Sequence, residues 1–290
     1  MEKRMNEMKE FQERGVQIAQ QVREADRHAE LVSASHGLYK KAAFTLAEVL
    51  ITLGIIGVVA AMTLPSLIQN YQKKALATQT QKFYSMMSQA VKQYMADYGV
   101  DDLRNTPLAD DNYEERESPE AIASIRNFVT KYLKVVKECN PSAEDDNNCF
   151  APVYRNWDNS IPDGENTYNF TTEAAWGERR DYVLADGNVI RIGYSSPIEL
   201  YVDVNGKKGP NRVGYDLWNM DIFYDGVIDE GTVGPECRGR IDADYNNDYL
   251  KCEQTSAQEK REHKFENSCK SGDYVGCFGH LLNNNFKFDY

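Results

Sequence analysis

The sequence predicts an α+β protein in which one long N-terminal helix is followed by an antiparallel sheet. Three observations support this prediction: an apolar run that continues as an amphipathic helical repeat, short strands separated by turn dipeptides, and six cysteines late in the chain. Together they predict a ladle-shaped molecule, in which the solvent half of a membrane-spanning helix packs on roughly four strands. Disulfides are expected to hold the C-terminal loops.

The helix begins with a run that is long enough to cross a membrane. Residues 44–64 contain a single charged side chain, Glu48. At about 1.5 Å per helical residue the run spans roughly 30 Å, the thickness of a bilayer core. Lys40 and Lys41 precede it, and such a basic flank keeps the preceding end in the cytoplasm. The sequence therefore predicts a single-pass protein whose C-terminal part lies outside the cytoplasm.

Glu48 is the unusual residue of this run. Placing a carboxylate inside a membrane segment costs on the order of several kcal/mol unless the carboxylate finds a partner. Glu48 is therefore a candidate functional residue. The alternative is a glutamate near the helix end that reaches the lipid headgroups.

Residues 43–48, AFTLAE, resemble the leader-cleavage site of type IV pilins and type II secretion pseudopilins. The resemblance covers about 30 residues. It implies that a prepilin peptidase cuts between Ala43 and Phe44 and that Phe44 is then N-methylated. It also implies that Glu48 pairs with the new α-amino group of a neighbouring subunit during assembly. Ala43 departs from the usual Gly, and Pro65 lies where pilins often carry a proline.

The resemblance also implies how the chain is divided. Residues 1–43 are a cytoplasmic leader that the peptidase removes. Residues 44–98 are the long helix, with a transmembrane and assembly half, 44–64, and an amphipathic half, 65–98. Residues 99–290 are an extracytoplasmic globular head. The expected location is the inner (cytoplasmic) membrane, with the head in the periplasm or at the cell surface.

The expected function is that of a structural subunit of a type II secretion pseudopilus or a type IV pilus. The resemblance implies other pilin or pseudopilin subunits, the prepilin peptidase, an assembly platform and an ATPase as partners. Nucleic acid is not expected, because the formal charge is −12 and phosphate contacts need clustered Lys and Arg. An enzyme is not expected either, since no GxSxG, HExxH or phosphate-loop motif is present.

Two helices are predicted before the sheet. Apolar residues continue at three- and four-residue steps beyond Pro65, and Gly99 ends this amphipathic repeat. Ser118-Pro119 then gives an N-cap followed by proline at the first helical position. The second amphipathic helix is predicted to run through Val136 and to end near Cys139.

Four strands follow, separated by turn residues. Asp186-Gly187 is a strong hairpin signal, and Asp225-Gly226 turns the chain again after the fourth strand. The predicted antiparallel meander comprises residues 182–185, 188–194, 198–204 and 218–224. The final residues are predicted to form an apolar strand or edge after a short charged helix at 254–265.

All six cysteines lie beyond the membrane run, on the side where disulfides form. Six cysteines allow 15 pairings. Pairing along the sequence is favoured because each bond then closes a short loop, joining Cys139 to Cys149, Cys237 to Cys252 and Cys269 to Cys277. A zinc site is the alternative, but the cysteines form no CxxC pair.

Two loops carry oxygen ligands that suit calcium. In residues 203–216, turn chemistry competes with a cation clamp made of Asp203, Asn205, Asn211 and Asp216. The second loop has the spacing of an EF-hand loop, with its donors at Asp242, Asp244, Asn246, Asp248 and Glu253. A solvated acidic surface loop is the other interpretation. No cofactor is required, and calcium is the one candidate.

An exported soluble binding protein is the alternative to the filament subunit. Lys40, Lys41 and the apolar run also resemble an ordinary signal peptide that is cut after Ala61. Glu48 within the apolar run argues against this alternative, as does the amphipathic helix that follows. The sequence leaves open whether the chain joins a pilus or a secretion system, and whether it is a major or minor subunit.

Overall fold

The computed structural model describes residues 45–109, 118–139, 149–162, 180–193, 197–238 and 255–290, together with residues 20 and 23. The helices in these six stretches are α1 Leu46–Tyr98, α2 Pro119–Tyr132, α3 Ala257–Asn267 and α4 Cys277–Asn283. The strands are β1 Val135–Cys139, β2 Arg180–Leu184, β3 Val189–Gly193, β4 Ile198–Asp203, β5 Leu217–Ile222 and β6 Ile228–Asp229.

The chain divides into two compact units between Pro65 and Ser66, a position inside α1. In the first unit, the described residues from Leu46 onward form the apolar start of α1, whose large side chains are exposed from Leu46 to Leu64. The second unit contains the sheet, the remaining helices and the hydrophobic core. This arrangement has the predicted α+β class, with a long apolar N-terminal helix before an antiparallel sheet.

Within the second unit, α1 buries one apolar face, a stripe that begins partway along the predicted amphipathic repeat. Ile68 and Tyr71 are exposed, and continuous burial of the stripe begins further along the helix. The buried residues of the stripe are Leu76, Phe83, Met87, Ala90, Val91, Tyr94 and Met95. Gly99 ends the helix with φ +68°, and the Val100 amide donates to the Met95 carbonyl at 3.1 Å. Glycine adopts this left-handed conformation without steric cost, which explains why the repeat stops there.

The sheet contains six strands in the order β1 to β6, and each neighbouring pair is antiparallel. The predicted meander of about four strands corresponds to β2–β5. Val202 of β4 pairs with Ile190 of β3 on one side and with Trp218 of β5 on the other, which aligns the three strands at this residue. The hairpin predicted at Asp186-Gly187 joins β2 to β3, and Gly187 has φ +91°. The sheet is therefore wider than the prediction by one strand at each edge.

The first extra strand replaces the end of a predicted helix. Helix α2 ends at Tyr132, its C-cap Leu133 is extended, and Val135–Cys139 forms β1. The prediction that the helix runs through Val136 to near Cys139 was wrong. Val135 and Val136 are β-branched and therefore favour strands, and β1 finds a partner in β2. Because this partner lies more than 40 residues away, local periodicity alone did not reveal the strand.

The C-terminal residues form helices and an aromatic tail, residues 284–290, rather than the predicted final strand. The predicted charged helix is present as α3, and its first turn is closed by a capping box between Ser256 and Glu259. Strands β3 and β5 are buried at every residue, so both faces of the sheet are covered. The ring of Trp218 on β5 lies 6.4 Å from Phe278 of α4 and 6.0 Å from Phe288 of the tail.

Candidate functional site: the N-terminus of α1 and the loops of the head

The N-terminus of α1 is organised by Thr45 and Glu48. Thr45 is the N-cap residue, and its amide and hydroxyl both donate to Glu48 Oε2 at 2.9 Å. The Glu48 amide donates back to Thr45 Oγ1 at 3.2 Å. This reciprocal arrangement is a capping box, which satisfies backbone donors that the first helical turn leaves free. The predicted cleavage and methylation residues, Ala43 and Phe44, lie outside the described residues.

The surface of α1 after this box is apolar and solvent-exposed. The exposed fraction of the side chains is 61% for Leu50, 62% for Ile51 and 63% for Ile56. By length and composition, α1 is the helix of the described residues that is able to cross a membrane. Pro65 lies inside the helix, which continues to Tyr98. A long helix with an unburied apolar surface is suited to lipid or to other apolar helices.

Two predicted disulfides are present in the head. Cys139 is bonded to Cys149, and Cys269 is bonded to Cys277, with Cα–Cα distances of 5.9 and 5.1 Å. Cys237 is also disulfide-bonded. Its predicted partner, Cys252, lies outside the described residues. The first bond ties the end of β1 to the segment that follows it, and the second ties the end of α3 to the start of α4.

The β4–β5 loop, residues 203–216, is built around two buried carboxylates. Asp203 accepts hydrogen bonds from the Tyr154 hydroxyl at 2.5 Å and the Asn205 amide at 3.0 Å. Asp216 accepts from the amides of Asn211 and Arg212 at 2.7 and 2.6 Å. Each carboxylate therefore fixes the backbone of one end of the loop, which is the turn-chemistry interpretation of this segment.

Burial dominates the electrostatics of this pair. Burial, and secondly the charge of Asp216, raises the pKa of Asp203 to about 8. Burial raises the pKa of Asp216 to about 6, although backbone hydrogen bonds oppose the shift. The Arg212 guanidinium is engaged elsewhere, since it donates to the Trp157 carbonyl and lies 3.8 Å from the Tyr215 ring centroid. The two acids thus lie close enough in a poorly solvated loop for the charge of Asp216 to act on Asp203.

The predicted calcium ligands are not tested by this structure. Asp242, Asp244, Asn246, Asp248 and Glu253 all lie outside the described residues. Within the described stretches, no group of three or more His, Cys, Asp or Glu residues is placed to hold a metal ion. In the other candidate loop, the amide oxygens of Asn205 and Asn211 are buried without a hydrogen-bond partner among the described residues.

A second pair of acids, which sequence reasoning missed, joins the sheet to the C-terminal helices. At the end of β6, Asp229 accepts two hydrogen bonds from Arg261 of α3, at 2.8 and 2.6 Å. The next residue, Glu230, accepts from the amides of Gly276 and Gly279 at 3.0 and 3.2 Å. Burial raises the pKa of Glu230 to about 7. Nothing local in the sequence indicates these contacts, because their partners lie more than 30 residues away.

Tyr290 packs the aromatic tail against the core of the second unit. Its hydroxyl donates to the Gly214 carbonyl at 2.6 Å, and Lys73 of α1 donates to its main-chain carbonyl. Next to it, His280 of α4 lies within hydrogen-bond distance of Glu262 at 2.7 Å and Asp289 at 2.9 Å. The tail thereby connects α1, α3, α4 and the β4–β5 loop.

Comparison with known families gives two matches along the chain. The model of the prokaryotic N-terminal methylation motif matches residues 38–64. A model described as "Family of unknown function (DUF6613)" matches residues 66–175. No curated protein and no solved structure matches the chain. The chain therefore carries a type IV pilin-like prepilin motif, which confirms the resemblance at residues 43–48, and the motif ends beside the division at Pro65.

Proposed function

We propose that the chain is a structural subunit that polymerises through α1 into the filament of a type II secretion pseudopilus or a type IV pilus. The methylation motif over residues 38–64 is the observation that supports this proposal most directly. Proteins with this motif are structural rather than catalytic. The apolar exposed start of α1 supplies the surface that the subunits would share.

The proposed assembly step follows from two charges in an apolar environment. Cleavage between Ala43 and Phe44 would create an ammonium group at Phe44, four residues before the Glu48 carboxylate. Within one helix these groups are poorly placed to satisfy each other. A neighbouring subunit shifted along the filament satisfies both charges, which removes two desolvation costs at once. Gly54 and Gly57 have open space around them, which allows close approach of another helix.

The proposed partners are other pilin or pseudopilin subunits, a prepilin peptidase, an assembly platform and an ATPase. The subunit would wait in the inner membrane as a single-pass protein with its head outside the cytoplasm. The apolar helices would then exchange lipid contacts for protein contacts. The leader 1–43 and the head 99–290 are part of the same proposal. Calcium binding at Asp242–Glu253 is a separate proposal, tested by calcium titration of the Asp242→Asn variant.

The test replaces Glu48 with Ala or with Gln in cells that express the full chain. We expect cleaved subunits to accumulate in the membrane while sheared filaments decrease by about tenfold or more, because a missing buried ion-pair partner costs several kcal/mol. N-terminal sequencing of the cleaved chain is the accompanying measurement. A start at methylated Phe44 supports the proposal, whereas a start at Met62 supports the exported soluble protein. Normal filaments from both Glu48 variants would contradict the pairing.

A further inference from the structure

The exposed side of α1 in the second unit carries lysines without any acidic neighbour. Lys74, Lys82 and Lys92 are exposed, and residues 65–96 contain no Asp or Glu. None of the three therefore has an acid three or four residues away, the spacing at which ion pairs form on a helix. Among the residues that the structure describes, their ammonium groups form no hydrogen bond or ion pair. We call the surface made by these three residues the lysine face.

The lysine face lies opposite the buried stripe of α1. Lys74 and Lys92 are 18 residues apart, so they are separated by about five turns and roughly 27 Å on the same side of the helix. Lys82 lies about 80° from them around the helix axis, still on the exposed side. Phe83 and Tyr94 are buried on the opposite side. The exposed residues between the lysines are polar: Thr78, Gln81, Ser85 and Gln89.

The neighbouring charged groups of α1 are already engaged with other parts of the second unit. Lys73 donates to the main-chain carbonyl of Tyr290. Asp97 is the first acid after the lysine face, and it accepts from Lys131 Nζ at 3.0 Å and from the Tyr132 hydroxyl at 2.7 Å. No described residue therefore neutralises the lysine face, and its meaning depends on the charge of the surface that it can meet.

The rest of the head has the opposite charge. Residues 99–290 contain 21 Lys and Arg and 36 Asp and Glu, a formal charge of −15. Two such heads repel each other when they are brought side by side, because like charges at close range cost free energy. A lysine face turned towards a neighbouring head replaces part of this repulsion with attraction. DNA and anionic lipid also attract lysine, but the acidic head that carries the face repels both of them.

We propose that the lysine face of one subunit binds the acidic head of a second copy of this chain. The proposal rests on the proposed function, in which α1 brings the copies side by side. Exposed ion pairs are individually weak. The contact therefore orients neighbouring heads within the filament and does not by itself hold two isolated heads together. It gives the second unit an interaction surface of its own, separate from the apolar start of α1.

The experiment compares three triple variants of the full chain. The reversal variant combines Lys74→Glu, Lys82→Glu and Lys92→Glu, and the retention variant places Arg at the same three positions. Glu and Arg are both good helix formers and the positions are exposed, so α1 is expected to fold in both variants. The matched control makes the same change of net charge at three exposed lysines elsewhere on the head: Lys137→Glu, Lys207→Glu and Lys208→Glu.

We expect the reversal variant to lower the yield of sheared filaments per cleaved subunit by about 3- to 100-fold, the factor that corresponds to the loss of three exposed ion pairs. The retention variant and the control should stay near the wild-type yield. Normal filaments from the reversal variant, together with lost filaments in Glu48→Ala, would overturn the role of the lysine face and leave the proposed function standing. A wild-type chain that yields no filaments would contradict the proposed function and the lysine-face proposal with it.

Chemical cross-linking of sheared wild-type filaments identifies the partner without any variant. A carbodiimide joins a lysine amine to a carboxyl group in contact with it, with the loss of one water. We expect dimers on a denaturing gel in which Lys74, Lys82 or Lys92 is joined to an Asp or Glu of residues 99–290, as identified by mass spectrometry. The dimer yield should fall at about 1 M salt, where the screening length is about 3 Å. Dimers without links at these lysines would overturn the proposal. A reversal variant that assembles normally but no longer binds phosphatidylglycerol vesicles would also overturn it, by assigning the face to lipid.

Discussion

At the residue scale, buried carboxylates set the properties of the head. Asp203, Asp216, Asp221 and Glu230 are all at least nine-tenths buried, and burial raises the pKa of each of them. Burial, and secondly the charge of Glu230, raises the pKa of Asp221, whose Oδ1 has no hydrogen-bond partner among the described residues. A raised pKa means that the folded state binds the proton more tightly than the unfolded state does.

This tighter proton binding predicts that Asp203→Asn stabilises the head at high pH. The contribution of Asp203 to stability is fully present below its unfolded pKa near 4 and is lost as the pH rises through its folded pKa of about 8. Asn resembles the protonated acid, so the variant avoids this loss. We expect a gain of roughly 1–3 kcal/mol in the free energy of unfolding at pH 8, shrinking to near zero at pH 4.

The measurement is thermal unfolding of the full chain in detergent between pH 4 and pH 9. Asp273→Asn is a suitable control, because its side chain is partly exposed. A variant that is less stable than the wild-type protein at pH 8 would show that the Asp203 charge is compensated in the folded state.

At the element scale, Glu230 holds the start of α4 against the sheet. We expect Glu230→Ala to lower the free energy of unfolding by about 2–4 kcal/mol, because the buried amides of Gly276 and Gly279 lose their acceptor. Glu230→Gln retains an acceptor and should lose less. Glu266→Ala is the control on α3, where the side chain is 56% exposed. Chemical denaturation measures the free energy of unfolding of the three variants. An equal loss in Glu230→Ala and Glu266→Ala would contradict the proposal that Glu230 holds the start of α4.

The disulfide between Cys269 and Cys277 also holds the start of α4. The bond closes a loop of eight residues between α3 and α4. A double Cys→Ser replacement should lower the free energy of unfolding by about 2–3 kcal/mol, the value for a loop of this size. Denaturation with and without a reducing agent measures the effect. If the reducing agent lowers the free energy of unfolding of the wild-type protein no more than that of the double variant, the bond contributes little to stability.

At the scale of the whole molecule, the two units differ in where their apolar side chains lie. Every residue of the described hydrophobic core is at or beyond Leu76, whereas the large side chains from Leu46 to Leu64 are exposed. We therefore expect a truncated chain that begins at Ser66 to fold without detergent and to remain monomeric. Circular dichroism and sedimentation measure both properties. Aggregation of the truncated chain would show that residues 46–65 protect the head.

Several features of this molecule were predictable because they depend on neighbours along the chain. The apolar run, the six-residue stretch around Ala43 and Phe44, the hairpin at Asp186-Gly187 and the stop at Gly99 are local patterns. The prepilin motif and the α+β class were predicted from them and are confirmed. The capping box was also readable, because a Thr followed three residues later by Glu is its sequence pattern.

The sequence by itself determined the long apolar helix, its prepilin motif and the central hairpins, because periodicity, turn chemistry and charge act within a few residues. Only the tertiary structure decided that Val135–Cys139 is a strand, that Asp203 meets Tyr154, and that Glu230 caps α4. Glu230 and Gly276 are 46 positions apart in the sequence, and Asp203 and Tyr154 are 49 positions apart. Burial of a polar group becomes favourable only when folding brings such a distant partner to it.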